Sequence, residues 1–323
     1  MESLSMDQRQ MFFTPQDVQA VIRQTRHNKE IPIYVITIIA GIVGVICLLS
    51  QFEAETSFLS DIKEIFDETN PSDSFGIAAI LGMLIFILGI IGGIGAFILF
   101  FISYLASLYG LYADQMSYSI RVSENNYPEI YAKVLEYSYL LGWRKPPEVY
   151  VRQMNGELNA FTCWVPGRVF IQLNAEMVDI AYLEHKDFDT LFFVMAHEFG
   201  HAYLHHVQIH YTIWNTFANF IPFIGSSFLL PLLSRSREYS ADRVAQALTG
   251  GKNQIDCMML LAAGRHAYKY TNVYDYMAWV DKRRYNVLER IARFMINMLA
   301  DHPIMPYRTA AILDPYRRSG KLL

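Results

Sequence analysis

Two long stretches near the start of the chain contain no charged residue. The first runs from Ile31 to Phe52 and has 22 residues, and the second runs from Ser74 to Ala113 and has 40. About 20 apolar residues are enough to cross the hydrocarbon core of a membrane, whereas a helix of a soluble domain keeps a polar face. The pattern predicts two transmembrane helices, the second over roughly 75–101, with its last turns continuing into an aqueous domain.

The charges beside these stretches indicate how the two helices are oriented. Basic residues flank the outer ends of both stretches, whereas the loop 53–73 between them has one lysine and seven acidic residues. Positively charged flanks of membrane helices stay on the cytoplasmic side. We therefore predict a cytoplasmic N-terminal helix within 1–30, a two-span hairpin over 31–112 with an acidic outer loop, and a cytoplasmic domain over 113–323.

The rest of the chain combines a few strand patterns with many helical ones. Alternation of apolar and polar residues predicts strands at Glu148–Gln153, Leu158–Trp164 and Arg168–Leu173, and Val165-Pro166-Gly167 is typical of a turn between the last two. Helical spacing dominates the sequence that follows. The predicted fold class is α+β, mainly helical, with a small antiparallel β-sheet.

The composition narrows the classes of protein to consider. Hydrophobic residues make up 53% of the chain, charged residues make up 18%, and the net charge is −4. This composition excludes a disordered chain, and the lack of a basic excess predicts that nucleic acid is not a partner. The three cysteines lie in unrelated contexts, which predicts neither a disulfide framework nor a cysteine metal site.

The most informative segment is His197-Glu198-Phe199-Gly200-His201, inside a predicted buried helix that Asp187 can cap. Residues four apart lie on one face of a helix, so both histidines can present an imidazole to one tetrahedral zinc ion. Glu198 lies beside them and can accept a proton from an attacking water molecule. The segment predicts zinc-dependent hydrolysis with Glu198 as the general base.

A third zinc ligand is expected on a second helix, which the pattern starts at Arg237. Glu238 and Asp242 are four residues apart there, so one can bind the metal while the other orients a ligand imidazole. For Glu238 the alternative is a solvated surface acid. The nearby histidines are expected to be structural or interfacial, because a catalytic zinc ion needs three protein ligands and an open position. They are His205, His206 and His210.

Together these motifs resemble those of the HtpX-like integral-membrane zinc metallopeptidases, which share a superfamily with the eukaryotic CAAX prenyl proteases. The resemblance covers roughly Pro128 to Leu313. It rests on five features of the sequence: the strand Glu148–Gln153, the segment Leu158–Thr162, the HExxH helix, the Glu238-to-Asp242 ExxxD helix, and Asp301-His302-Pro303 followed by Arg308. The resemblance implies a zincin-type metallopeptidase domain.

The resemblance also implies the roles of the principal site residues. His197, His201 and Glu238 are the expected ligands of one Zn²⁺ per chain. Glu198 and His302 are the expected catalytic residues, with His302 stabilising the oxyanion. For His302 the alternative is an ordinary surface histidine that precedes a proline.

Supporting residues follow from the same resemblance. Asp242 and Arg308 are expected beside the metal ligands, with Arg308 clamping the carboxylates of the site. Asn159, Ala160 and Phe161 are expected on an edge strand above the zinc ion, where a substrate backbone is added as a further strand. An edge strand offers unpaired N–H and C=O groups and therefore selects backbone rather than sequence.

The leading hypothesis is a membrane-anchored zinc endopeptidase that cleaves membrane or membrane-proximal polypeptides in protein quality control. Its expected partners are polypeptide substrates and the lipid bilayer, and its expected location is the bacterial cytoplasmic membrane, with the catalytic domain facing the cytoplasm. Small residues at one-turn spacing in the predicted spans suit a tight hairpin or a homo-oligomer seam, or simply reflect the composition of membrane helices. The alternative is a non-enzymatic zinc-dependent scaffold or regulator, although a structural zinc site has no use for a general base such as Glu198.

The uncharged segment 207–234 departs from the pattern of the resembling proteins. They have a second hydrophobic hairpin here, but 28 residues are too few for two crossings. A single crossing would place Glu238 and His197 on opposite sides of the membrane. We therefore expect 221–233 to form an apolar flap that lies in the interface or packs on the domain.

Overall fold

The structure is a computed structural model that describes residues 14–47, 95, 98–99, 101–219, 221, 225–282, 286–314 and 320–323. The predicted acidic loop and almost all of the second predicted span lie outside these residues. Among the described residues, one helix is long and apolar enough to cross a membrane. It is Glu30–Cys47, with a mean hydropathy of 2.2.

The α-helices among the described residues are α1 (Pro15–Thr25), α2 (Glu30–Cys47), α3 (described over 101–118), α4 (Pro128–Leu140), α5 (Ala175–Asp179), α6 (Phe188–Tyr203), α7 (Ile209–Ala218), α8 (Leu230–Thr249), α9 (Gln254–Ala263), α10 (Val273–Lys282), α11 (Val287–Leu299) and α12 (Met305–Leu313). The strands are β1 (Ile120–Arg121), β2 (Glu148–Arg152), β3 (Ala160–Val165) and β4 (Arg168–Asn174). Helices dominate, as predicted.

The predicted cap of the HExxH helix α6 is confirmed and has further partners. Asp187 accepts a hydrogen bond from the Thr190 N–H at 3.0 Å, at the start of α6. The same carboxylate accepts hydrogen bonds from Asn253 at 2.9 Å, Tyr268 at 2.9 Å and Lys269 at 2.7 Å. Asp187 therefore ties the start of α6 to the segment that surrounds α9.

The four strands form one mixed sheet in the order β1-β2-β4-β3. The β3–β4 hairpin is antiparallel, as predicted, but β2 runs parallel to β4, with Val149 opposite Ile171. The prediction of an antiparallel sheet was therefore wrong. The loop after β2 carries the chain past the position of β4, so the hairpin places its second strand beside β2. This topology leaves β3 at one edge of the sheet.

The two faces of the sheet pack against different helices. Ile171 and Leu173 of β4 belong to the main core, together with Phe193 and Phe199 of α6. On the opposite face, Phe170 packs against α3. The helix that follows the second predicted span thus continues into the domain and supports the sheet from below.

The candidate span α2 packs along α7. Ile33 is buried in one cluster with Tyr211, whose ring stacks on that of Tyr34 with 4.1 Å between centroids. Farther along α2, a Cβ on Gly41 would lie 2.7 Å from Cε3 of Trp214. The first part of the uncharged segment 207–234 is therefore a helix that lies beside the candidate span.

The end of that segment, from Leu230 onward, belongs to α8 and packs on the domain. Leu229 and Leu233 are buried in the same cluster as Ile33. Helix α8 begins at Leu230, two turns before the predicted start at Arg237. The prediction missed these turns because they are apolar and merge with the uncharged run before them. They place Glu238 within a long helix rather than at its first turn.

Helices α6 and α8 approach each other closely at Gly200. A Cβ at this position would lie 2.9 Å from Cα of Ala241 and 3.1 Å from Cβ of Val244. Glycine allows backbones to approach where any side chain would collide. This contact sets the distance between the helix that carries the two histidines and the helix that carries Glu238.

Candidate active site

The helix pair α6–α8 brings the three predicted metal ligands together. Nε2 of His197 lies 3.1 Å from Nε2 of His201. On α8, Glu238 places Oε1 3.2 Å from His201 Nε2 and Oε2 3.5 Å from His197 Nε2. Two imidazoles and one carboxylate therefore converge on one point and could hold a metal ion.

The spacing and chemistry of this group fit a tetrahedral zinc ion. Atoms that bind zinc at about 2.0–2.1 Å lie about 3.3 Å apart in a tetrahedron, which matches the separations above. Glu238 is buried, and its Oε2 makes no well-directed hydrogen bond with the described residues, although Nδ1 of His302 is 2.9 Å away. Burying a carboxylate oxygen without a well-directed hydrogen bond costs free energy unless a cation binds it.

Asp242 and Arg308 hold the ring of His197. Oδ1 of Asp242 lies 2.8 Å from Nδ1 of His197, and Arg308 donates to both carboxylate oxygens of Asp242 at 2.7 and 2.8 Å. When Nδ1 of His197 carries a proton and donates a hydrogen bond to Asp242, Nε2 is left free to bind a cation. Arg308 also lies 3.7 Å from Oε2 of Glu238, where the resemblance implied a clamp on the carboxylates.

The pKa values of the site reflect these pairings. Burial disfavours charge on His197, but its contacts with Asp242 and Glu238 outweigh burial and raise the pKa of His197 to about 10, so a metal ion that binds Nε2 must displace a proton there. Burial would raise the pKa of Asp242, yet the charge of Arg308 and the contact with His197 lower it to about 2. Against the same burial, the neighbouring imidazoles of His197 and His201 hold the pKa of Glu238 well below its usual range. Both carboxylates are thus ionised at neutral pH, as metal binding requires.

Glu198 faces the β-sheet and contacts a residue that the sequence analysis did not single out. The Thr162 hydroxyl lies 2.7 Å from Oε2 of Glu198 and 2.9 Å from its backbone oxygen. Successive side chains of a strand point to opposite faces of the sheet, so Thr162 lies on the face opposite to Phe161. A polar residue on the strand face that meets the HExxH helix is the signal in the sequence that could have identified Thr162. The β3 strand therefore orients the predicted general base as well as offering an edge.

The outer edge of β3 carries the predicted substrate-binding residues. Along a β-hairpin, pairs of residues that exchange backbone hydrogen bonds alternate with pairs that do not. The two residues that flank a two-residue turn form the first hydrogen-bonded pair. The hydrogen bond from the Asn174 N–H to Asn159 O, at 3.1 Å, fits this alternation. Ala160 and Thr162 consequently turn their N–H and C=O groups to the open edge. The Ala160 N–H donates to Oδ1 of Asn159 at 2.9 Å, so this side chain covers the edge there.

The remaining predicted residues also lie at the site. His302 stands in the loop between α11 and α12, with 69% of its side chain exposed, and the Glu238 carboxylate, 2.9 Å from its Nδ1, raises the pKa of His302. Phe161 packs near Phe170, on the sheet face that points away from α6. A cavity of about 340 Å³ is lined by every predicted site residue except Asp242, which lies behind His197.

Comparison with known proteins identifies the domain that holds this site. The sequence pattern of peptidase family M48 matches residues 124–315, which is more than half of the chain and includes every site residue described above. No curated protein and no solved structure matches the chain. On the strength of the family match, supported by the convergence of His197, His201 and Glu238, the chain belongs to peptidase family M48.

Proposed function

We propose that the protein is an HtpX-like, membrane-anchored zinc endopeptidase that cleaves membrane or membrane-proximal polypeptides in protein quality control. The observation that carries this proposal is the convergence of His197, His201 and Glu238 next to Glu198 in a single cavity. Three protein ligands with a neighbouring carboxylate are typical of a catalytic zinc site, whereas a structural site closes its fourth position with another ligand.

The chemistry follows from the groups around the cavity. A zinc ion held by the three ligands would supply a Lewis acid that activates water and polarises the scissile carbonyl. Glu198 takes a proton from the attacking water molecule and passes it to the leaving amine. Thr162 keeps the Glu198 carboxylate aimed into the cavity. His302, whose Nδ1 lies 2.9 Å from Oε2 of Glu238, stabilises the developing oxyanion by donating a hydrogen bond.

Substrate binds by adding a strand to β3. The edge N–H and C=O groups of Ala160 and Thr162 pair with the substrate main chain, which explains how one site accepts many sequences. Because Oδ1 of Asn159 accepts from the Ala160 N–H, the Asn159 side chain must move aside for a substrate to pair fully there. Asn159 thus acts as a polar cover on the edge until a peptide replaces it.

The membrane part of the proposal rests on the outer face of α2. Its exposed large apolar side chains recur at helical spacing: Ile31, Val35, Ile36, Ile39, Ile42, Val43 and Ile46. Such a stripe in contact with water is unfavourable, and lipid would satisfy it. With the basic flanks inside, the peptidase domain faces the cytoplasm, and the bacterial cytoplasmic membrane is the proposed location.

The decisive experiment compares the full-length protein with Glu198→Gln, both purified in detergent from washed membranes. Wild type should carry about one zinc ion per chain and hydrolyse casein, with activity lost after chelation and restored by zinc. Glu198→Gln should keep its zinc and lose at least about 100-fold in rate, the usual range for a general base. Glu136→Gln, which neutralises a surface carboxylate, is the matched control. A Glu198→Gln protein that still cleaves casein would contradict the assignment, and a zinc-loaded wild type without hydrolysis would favour the non-enzymatic scaffold.

A further inference from the structure

His206 lies beneath the metal site, although histidines of this region were expected to be structural or interfacial. Its side chain is fully buried, and its Nδ1 lies 3.0 Å from Nδ1 of His201. The chain reaches this position because His205 adopts a left-handed conformation, with φ of 64°, and turns back after α6. The carbonyl of His206 is fixed by a hydrogen bond of 2.6 Å from Arg237 on α8.

The other ring nitrogen of His206 contacts a buried carboxylate. Nε2 of His206 lies 3.0 Å from Oε1 of Glu30, the first residue of α2. Glu30 has no exposed surface; it forms an ion pair with Arg26 and accepts a hydrogen bond from Ser240. Ser240 lies on α8, two residues after Glu238. Glu30 therefore contacts His206, which is hydrogen-bonded to His201, and also contacts α8, the helix that carries Glu238.

The donors and acceptors of this chain of groups permit one arrangement of protons. An ionised carboxylate can only accept hydrogen bonds. Nε2 of His206 therefore carries a proton and donates a hydrogen bond to Glu30. Nδ1 of a neutral His206 is then an acceptor, and Nδ1 of His201 must donate to it. This leaves Nε2 of His201 unprotonated and turned toward His197 and Glu238, which is the form that binds a metal ion.

We propose that His206 and Glu30 are positioning residues of the metal site, which fix the ring and tautomer of His201 through a His201–His206–Glu30 chain. The inference rests on the proposed zinc site and deepens it. Each ligand imidazole then has an acidic partner: Asp242 contacts His197 directly, and Glu30 reaches His201 through a second imidazole. Glu30 lies outside the family match at 124–315, so the start of the candidate membrane span completes the peptidase site.

The test measures zinc affinity of the metal-free full-length protein in detergent, by competition with a chromogenic chelator. His206→Leu removes both the acceptor and the donor, and Glu30→Gln removes the carboxylate; each should weaken zinc binding about 10–100-fold, the usual effect of a residue behind a metal ligand. His206→Gln retains one acceptor and one donor and should recover most of the affinity. His266→Leu removes an exposed histidine remote from the site and is the matched control.

The outcomes separate this inference from the proposed function. Thermal unfolding of each metal-free variant shows whether the domain is folded, so that weaker binding can be assigned to the site. If wild type binds zinc and both His206→Leu and Glu30→Gln bind it within about twofold of wild type, the inference is wrong and the zinc site stands. Equal weakening by His206→Gln and His206→Leu also refutes it, since packing rather than hydrogen bonding would then matter. A wild type without zinc refutes the proposed function and this inference together.

Discussion

Replacing Gly200 by alanine should weaken metal binding through the contact between α6 and α8. The new Cβ would lie 2.9 Å from Cα of Ala241, 3.0 Å from its carbonyl oxygen and 3.1 Å from Cβ of Val244, whereas ordinary contacts are 3.4–4 Å. Two of these neighbours are backbone atoms that cannot rotate away. The two helices must therefore separate by about 0.5–1 Å at this point, as the missing contact distance requires.

The energetic and functional effects follow from that separation. Overpacking of this kind costs about 1–3 kcal/mol, and the higher helix propensity of alanine returns about 1 kcal/mol. The net loss of unfolding free energy should be about 0–2 kcal/mol. Metal sites tolerate ligand displacements of only about 0.2 Å, and Glu238 on α8 must meet His197 and His201 across the widened contact. Zinc affinity should consequently fall at least about 10-fold.

Two measurements check this prediction. Chelator competition gives the zinc affinity, and thermal unfolding with and without zinc gives the stability of the domain. The matched control is Gly110→Ala, because Gly110 lies in helix α3 and an added Cβ would meet no atom within 4 Å. That variant should bind zinc like wild type. If Gly200→Ala bound zinc within about twofold of wild type with an unchanged Tm, the reasoning from helix approach would be refuted.

Three further predictions concern the base, the helix start and the edge strand. Thr162→Val keeps the shape but removes the hydroxyl next to Glu198, so kcat should fall about 10–100-fold while bound zinc stays constant, as single-turnover assays and metal analysis can show. Asp187→Ala should lower the unfolding free energy by about 2–4 kcal/mol, measured by urea denaturation, because a helix cap and buried partners are lost. Burial alone would raise the pKa of Asp187, but hydrogen bonds from Lys269 and Thr190 hold it well below its ordinary value of 3.8; the stabilisation is therefore complete above about pH 5 and should decrease steadily as the pH falls below 4, and a variant difference as large at pH 2 as at pH 5 would contradict this. Ala160→Pro should abolish peptide turnover without loss of zinc, while Ala160→Val should be much milder; equal damage from both would indicate a steric effect instead of a lost N–H.

Much of the site could be predicted because its central motif is local. The spacing of His197 and His201 places both imidazoles on one helix face whatever the rest of the fold, since that geometry belongs to the helix itself. Chemistry and position along the chain predicted a third ligand at Glu238 or Asp242, and the resemblance to the HtpX-like metallopeptidases implied that it is Glu238. The start of the helix that carries Glu238 was not predicted, because the apolar turns before Arg237 resemble the uncharged run that precedes them.

The sheet was predicted less completely because strand pairing is not local. The three longer strands were found near their observed positions, and the short turn made the β3–β4 pair predictable. The alternation pattern of β2 contains no information on which strand it pairs with or in which direction. The parallel pairing of β2 with β4 depends on the path of the loop between β2 and β3, and that path alone places β3 at the edge.

The sequence by itself determined the helix that carries the HExxH motif, its cap at Asp187, and the kind of chemistry that two histidines and a glutamate can perform. Only the tertiary structure decided that Thr162 holds Glu198 and that Glu30 lies beneath His201 through His206. The physical reason is the range of the interactions. Helix spacing and capping act within a few residues, whereas these contacts join residues 36 and 176 positions apart and exist only after the helices and the sheet have packed.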